Sequence, residues 1–153
     1  MSSIKGLDSL LRKLDTLGGN STEVLERGIT KAAKRVQRDA KLLCPVDSGD
    51  LRNSIRAETE VQDGVVIGKV STNKEYAPYV EFGTGQRGQS GEAYTTDLER
   101  GEALKYPGEL SYRQDWVGMP AQPFLYPAMK QNEDKIIGDV ANELRKEIRK
   151  MAE

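Results

Sequence analysis

The chain of 153 residues contains no histidine. That removes the commonest general acid or base, the commonest metal ligand and the usual partner of a nucleophilic serine or cysteine. A single cysteine, Cys44, permits no internal disulfide and suits a reducing compartment. No run approaches ~18 apolar residues, so no membrane span is expected. The N-terminal MSSIKGLDSLLRKL is broken by charges and lacks the apolar centre of a signal peptide, so the expected site of synthesis and residence is a cytoplasm. Hydrophobic residues make up only 37% against 31% charged, with a mean hydropathy of -0.64. Such a balance suits a modest core under a wide polar surface, or a subunit that leans on its neighbours.

Catalytic constellations are missing too. Gly83-Thr-Gly-Gln-Arg-Gly88 spells G-x-G-x-x-G, but a dinucleotide loop needs a buried strand before it and an amphipathic helix after it. Here Pro78, Glu81 and two tyrosines precede, and QSGEAYTTD follows without a helical apolar stripe. There is no G-x-x-x-x-G-K-[ST]. Asp47 and Asp50 lack the spacing of a calcium loop. Cys44, at a helix end with no histidine to activate it, reads as a small buried apolar residue. The chain is therefore expected to be no enzyme and to hold no cofactor and no metal.

What is present is amphipathic patterning. Ile4, Leu7, Leu10, Leu11, Leu14 and Leu17 recur at helical spacing, and Gly18-Gly19 ends that helix. Asn20 and Glu23 form a capping-box pattern for a second, long helix whose stripe is Leu25, Ile29, Ala32, Val36, Ala40 and Leu43. Pro45 closes it. In Pro45-Val-Asp-Ser-Gly49 the proline directs the chain out of the helix, Asp47 suits an Asx-type turn and Gly49 suits a positive φ. The middle reads as sheet: Ser54–Val61 and Val65–Ser71 flank Asp63-Gly64, a hairpin signal, and Tyr76–Phe82 leads into the glycines. Residues 86–114 read as an extended loop or hairpin arm, with a returning strand at Tyr112–Val117. A last helix starts near residue 124, after Pro120 and Pro123 and with Pro127 in its first turn, and carries Ile137, Val140, Ala141, Leu144, Ile148 and Met151.

The expected fold class is α+β: two N-terminal helices, a small antiparallel sheet with a long extended loop or hairpin arm, and a C-terminal helix packed on the sheet. One domain spans residues 1–153, helical over 1–43, sheet and turns over 44–85, arm and returning strand over 86–117, and C-terminal helix over 118–153.

Charge is uneven beneath a net of -1. Residues 1–43 hold nine Lys/Arg against five Asp/Glu, and residues 44–117 hold eight against thirteen. Arg27, Lys31, Lys34, Arg35, Arg38 and Lys41 fall on the side of the long helix away from its apolar stripe. A charged helix face is usually no more than a solvated one. Two functional readings stand beside that: contact with an acidic protein surface, such as the middle of a neighbouring subunit, and contact with DNA phosphates.

CPVDSGDLRNSI (44–55), YAPYVEFGTG (76–85) and QPFLYPAM (122–129) together resemble the signature blocks of the gene-10-type tail-component family of lambda-like tailed bacteriophages. Ser48 stands where that family commonly has threonine. Members are described as tail-component, head–tail joining or tail-completion proteins. The resemblance implies a non-enzymatic virion protein of the neck or tail, present in the host cytoplasm during assembly, and encoded by a phage or a prophage. It further implies a ring homo-oligomer, by analogy a hexamer, contacting other neck and tail proteins, with no small-molecule substrate and no membrane. On the family motifs, Pro45, Asp47, Gly49, Leu51, Arg52 and Ser54 shape the turn from helix to sheet. Tyr76, Tyr79, Glu81, Phe82, Gly83 and Gly85 shape the start of the arm, and Pro123, Phe124 and Pro127 anchor the last helix. Glu81 and Arg52, opposite in charge and both in signature blocks, are expected to pair. The alternative function is a DNA-contacting neck or packaging accessory that uses the basic face of the second helix.

Overall fold

A computed structural model describes Arg12, residues 21–88 and residues 115–152. The expected first helix (4–17), the Asn20 cap and most of the expected arm (89–114) lie outside the described residues. The elements are α1 (Ser21–Leu43), α2 (Asp50–Ser54), β1 (Arg56–Gln62), β2 (Val65–Ser71), α3 (Ala77–Phe82), a 3₁₀ turn (Gly85–Arg87), α4 (Leu125–Gln131) and α5 (Glu133–Ala152). The class is α+β, with a two-stranded antiparallel hairpin. Among the described residues no helix is long and apolar enough to cross a membrane.

The chain divides into two compact units, and neither is a single stretch of sequence. The first comprises residues 1–33, 58–69 and 134–153; the second comprises 34–57 and 70–133.

In the first unit, α5 packs against the N-terminal half of α1. Val24, Val140 and Leu144 are buried together, with Leu25, Ile29 and Ile148 around them. Each such side chain removed from water contributes roughly 1.5–3 kcal/mol before entropy is counted. A Cβ on Gly28 would lie 3.0 Å from the Val140 Cα, so that glycine lets the two helix backbones approach. The hairpin lies on α1 as well: a Cβ on Gly68 would meet Ile29, and Thr30 Oγ1 hydrogen-bonds Thr59 Oγ1 at 3.0 Å. The described partners of α5 are thus on α1, where the sequence places this helix on the sheet. Two helical stripes offer each other more apolar surface than a two-stranded hairpin does.

The hairpin forms as its turn chemistry requires. Asp63 has φ 50° and Gly64 φ 78°, both positive, as a two-residue type I′ turn demands.

In the second unit, Val36, Ala40, Cys44, Leu51, Ile55, Ala77, Phe82, Phe124, Tyr126 and Ala128 are buried. Two expectations change here. The sequence places Tyr76–Phe82 in the sheet region, yet Ala77–Phe82 is helical, with Pro78 in the first turn where its missing N–H costs nothing. And the helix expected to run unbroken from about residue 124 is divided at Asn132. The buried Asn132 amide donates to the Ala128 carbonyl at 2.7 Å, while the Asn132 N–H bonds Met129 O at 3.1 Å. A side chain that takes the i−4 carbonyl competes with the helix's own ladder, so the helix stops there.

Candidate functional site

The first signature block folds as a corner. The Cys44 N–H still bonds Ala40 O at 2.9 Å, and Pro45 then ends α1. Gly49 takes φ 87° at the start of α2, the positive value expected. Ser48 Oγ, rather than the expected Asp47, supplies the turn's side-chain acceptor, taking the Asp50 N–H at 3.3 Å. Asp47 is exposed. Leu51 and Ile55 are buried, and Gln37 donates to Ile55 O at 2.8 Å, holding the corner to α1. Ser54 shares a 2.6 Å bond with Thr72 Oγ1, which closes the base of the hairpin. Cys44 is buried, and that burial pushes its thiol pKa up from 9.0; nearby Arg52 pulls it back and Glu81 adds to the rise.

The second and third blocks meet at Glu81. This carboxylate is only 2% exposed, and it accepts the backbone N–H groups of Phe124 (2.8 Å), Leu125 (3.0 Å) and Tyr126 (3.1 Å). These are donors that the start of α4 leaves without intrahelical acceptors. A negative charge at that end also matches the helix dipole. Backbone amides therefore occupy both oxygens of Glu81, where the sequence reading has it pairing with Arg52. Phe124 and Pro127 are fully buried beside this cap, and Pro123 is half-buried before it.

Beyond Glu81, residues 80–87 run alongside residues 116–122. Gln122 N bonds Val80 O (2.8 Å), Thr84 N bonds Met119 O (2.8 Å), Gln86 N bonds Trp116 O (2.9 Å) and Arg87 N bonds Val117 O (3.2 Å). Thr84 Oγ1 also accepts the Met119 N–H at 2.9 Å. The glycines make this approach possible. Gly83 and Gly85 have φ 80° and 61°, and a Cβ on Gly83 would stand 2.7 Å from Ala121 N and Met119 O. A Cβ on Gly118 would overlap the Thr84 carbonyl. The described residues that flank segment 89–114 are thus held side by side. Of the returning strand expected at 112–117, residues 115 and 116 form a turn and bend, residue 117 is irregular, and residues 112–114 lie outside the described residues.

Around this framework several large side chains face solvent: Tyr76, Tyr79, Trp116, Val117 and Met119, and near the end of α1 Leu42 and Val46. The family motif in the sequence singles out Tyr76 and Tyr79. It does not single out Trp116, Val117, Gly118 and Met119, although Gly118 ahead of Pro120 is a legible turn signal. Asp39 and Asn132 were also missed. Asn132 Nδ2 donates to buried Asp39 Oδ2 at 2.7 Å, while Asn132 Oδ1 is buried without a hydrogen-bond partner.

The basic face of α1 divides between the units. Arg27 reaches Glu23 (3.1 Å), Glu147 (3.2 Å) and Glu143 (4.0 Å), and Lys31 reaches Glu143 (3.4 Å). Lys146 also bonds Glu143, at 3.0 Å, and that bond leads in holding the Glu143 carboxyl below its usual range, with Lys31 adding to it. In the second unit Arg38 contacts Asp39 at 3.0 Å, Lys34 is exposed, and Arg35 and Lys41 are half-buried. Among the described residues no group of three His, Cys, Asp or Glu is placed to hold a metal ion.

Compared with known proteins, residues 8–83 match the family described as "Bacteriophage HK97-gp10, putative tail-component". Residues 8–83 belong to the HK97 gp10-like family. No curated protein and no solved structure matches the chain. The match takes in the first two signature blocks up to Gly83 and ends before the third. The HK97 gp10-like region nevertheless supplies Glu81, whose carboxylate organises the third block through the start of α4.

Proposed function

We propose that this HK97 gp10-like protein is a non-enzymatic part of the phage neck or tail that joins or completes the head–tail connection by protein–protein contact. It acts as a ring of identical copies, by analogy a hexamer, within the virion and, during assembly, in the host cytoplasm. The observation that carries this reading is the exposed set Tyr76, Tyr79, Trp116, Val117 and Met119, carried on backbone held by Glu81 and the paired segments 80–87 and 116–122. Large aromatic and apolar side chains on a rigid frame are the usual anchors of protein interfaces, and they bind with little further loss of entropy.

The DNA-contacting alternative loses ground on geometry. Arg27 and Lys31 are already engaged by Glu143 and Glu147 of the same chain, which leaves fewer cations to track phosphates.

A phage deleted for this gene tests the proposal. Filled heads and complete tails should accumulate unjoined, and purified protein added to the mixed extract should restore infectious particles. Normal joining without the gene would overturn it. Mass measurement of the purified protein tests the ring.

A further inference from the structure

The hairpin is a sheet of only two strands, so each strand has one edge with nothing beside it among the described residues. The type I′ turn at Asp63-Gly64 sets the register, with Gln62 opposite Val65, Glu60 opposite Ile67 and Glu58 opposite Lys69. The face-on contacts agree. Thr59 and Gly68, opposite each other in that register, both meet α1. In an antiparallel pair, residues flanking a two-residue turn form a hydrogen-bonded pair, and the next pair turns its backbone groups outward. Ala57, Thr59 and Val61 of β1, and Val66, Gly68 and Val70 of β2, therefore direct N–H and C=O away from the hairpin. None of these six bonds another described segment through its backbone. The strands are also open to approach: Glu58, Glu60, Val61, Val65 and Lys69 are exposed.

We infer that these edges pair with the hairpin of a second copy, β1 of one chain beside β2 of the next, so that the hairpins of a ring form one continuous antiparallel sheet. The inference rests on the ring reading above. Charge complementarity supports this arrangement. The solvent face of β1 carries Arg56, Glu58 and Glu60, and that of β2 carries Lys69. A twofold pairing of β1 with β1 centred on Thr59 sets Glu58 against Glu60, and one of β2 with β2 centred on Lys69 sets that cation against its own copy. Like charges across strands are unfavourable. β1 against β2 can bring the Glu58 or Glu60 carboxylate beside the Lys69 ammonium. Direction fits too: a rotation that repeats the hairpin round a ring leaves each β1 antiparallel to the β2 it meets. That interface is heterologous, the kind that closes by rotation. It also covers edges that are open among the described residues, and open edges otherwise invite uncontrolled association.

Two measurements test this. Val61→Pro deletes an outward N–H and leaves the hairpin's own ladder intact. It should leave the circular dichroism spectrum unchanged and raise the subunit dissociation constant about tenfold or more, read by mass photometry. Separately, in a Cys44→Ala background, single-cysteine variants on β1 (Glu58→Cys, Glu60→Cys) and on β2 (Ile67→Cys, Lys69→Cys) are oxidised alone and in mixtures. Disulfide dimers are expected only in β1 plus β2 mixtures, and a chain with Glu60→Cys and Lys69→Cys, which do not face each other within one hairpin, should give a ladder of higher species. Rings that form normally with Val61→Pro and give no crosslinks overturn the edge pairing and leave the ring reading standing. Crosslinks of β1 with β1 alone overturn the head-to-tail order. A wild-type chain that stays monomeric at all concentrations overturns the ring itself, and the edge pairing with it.

Discussion

Glu81 shows how one side chain organises a stretch of chain more than forty residues away in sequence. A buried carboxylate is costly unless its oxygens are satisfied, and three backbone amides satisfy this one. Glu81→Ala removes the acceptors and leaves those N–H groups unpaired. It should destabilise the protein by about 2–4 kcal/mol, read as a fall in the urea midpoint, with Glu81→Gln losing less. Asp39 and Asn132 were invisible in the sequence because neither type is expected inside. Only the fold brings them within 2.7 Å. Cys44 is the opposite case, since its position at the last helical turn before Pro45 already pointed to burial. Its native thiol pKa is raised, so the neutral form is favoured in the folded state. The associated stability is present below pH 9.0 and fades as the pH rises through the higher native value. Alkylation of native protein near neutral pH should accordingly be far slower than in urea, and a native rate equal to the unfolded one would contradict the burial.

At the level of elements, α1 and α5 are joined by an apolar stripe and by ion pairs along its edge. The pairs are partly exposed, so each is worth only about 0.5 kcal/mol. Lys31→Glu, however, replaces attraction by repulsion at Glu143. It should lower the thermal midpoint by a few degrees, about 1 kcal/mol, where Lys34→Glu changes it little. An assembly defect caused by reversing Lys31 would therefore be partly a folding defect. Charge reversals at Lys34 and Lys41 test contact between the basic face of α1 and an acidic protein surface more cleanly. Glu143 adds a pH dependence of known sign. Its carboxyl is held below 4.5, so its contribution is present above that value and is lost as the pH falls through the lower native value. Glu143→Gln should flatten the acid limb of the stability curve. Gly83, Gly85 and Gly118 govern the other junction. Gly118→Ala places a methyl against the Thr84 carbonyl, and about 2 kcal/mol or more should be lost as the paired segments separate. Helix in place of strand at residues 77–82 was hard to read, because a six-residue helix is too short to show its period.

For the whole molecule, the net charge of -1 says little about partners, because most of what matters is local. If protein contact is the function, duplex DNA should not bind appreciably at 0.15 M salt, and any binding at low salt should vanish as salt rises. Tight binding that survives physiological salt would favour the DNA-contacting alternative.

The long helix, the hairpin and the corner at Gly49 were all legible in the sequence, because each is governed by neighbours in the chain: a 3.6-residue stripe, an Asp-Gly turn, a proline followed by a positive φ. The absence of histidine and the family motifs bounded the function in the same local way. Tertiary structure alone decided the rest. Which helix α5 covers, where Glu81 finds its donors, which cations remain free and why the glycines stand in E-F-G-T-G all depend on segments far apart in sequence. The G-T-G pair reads in sequence as a turn, but it is the backbone of residues 116–121, passing within contact distance, that leaves no room for a side chain there.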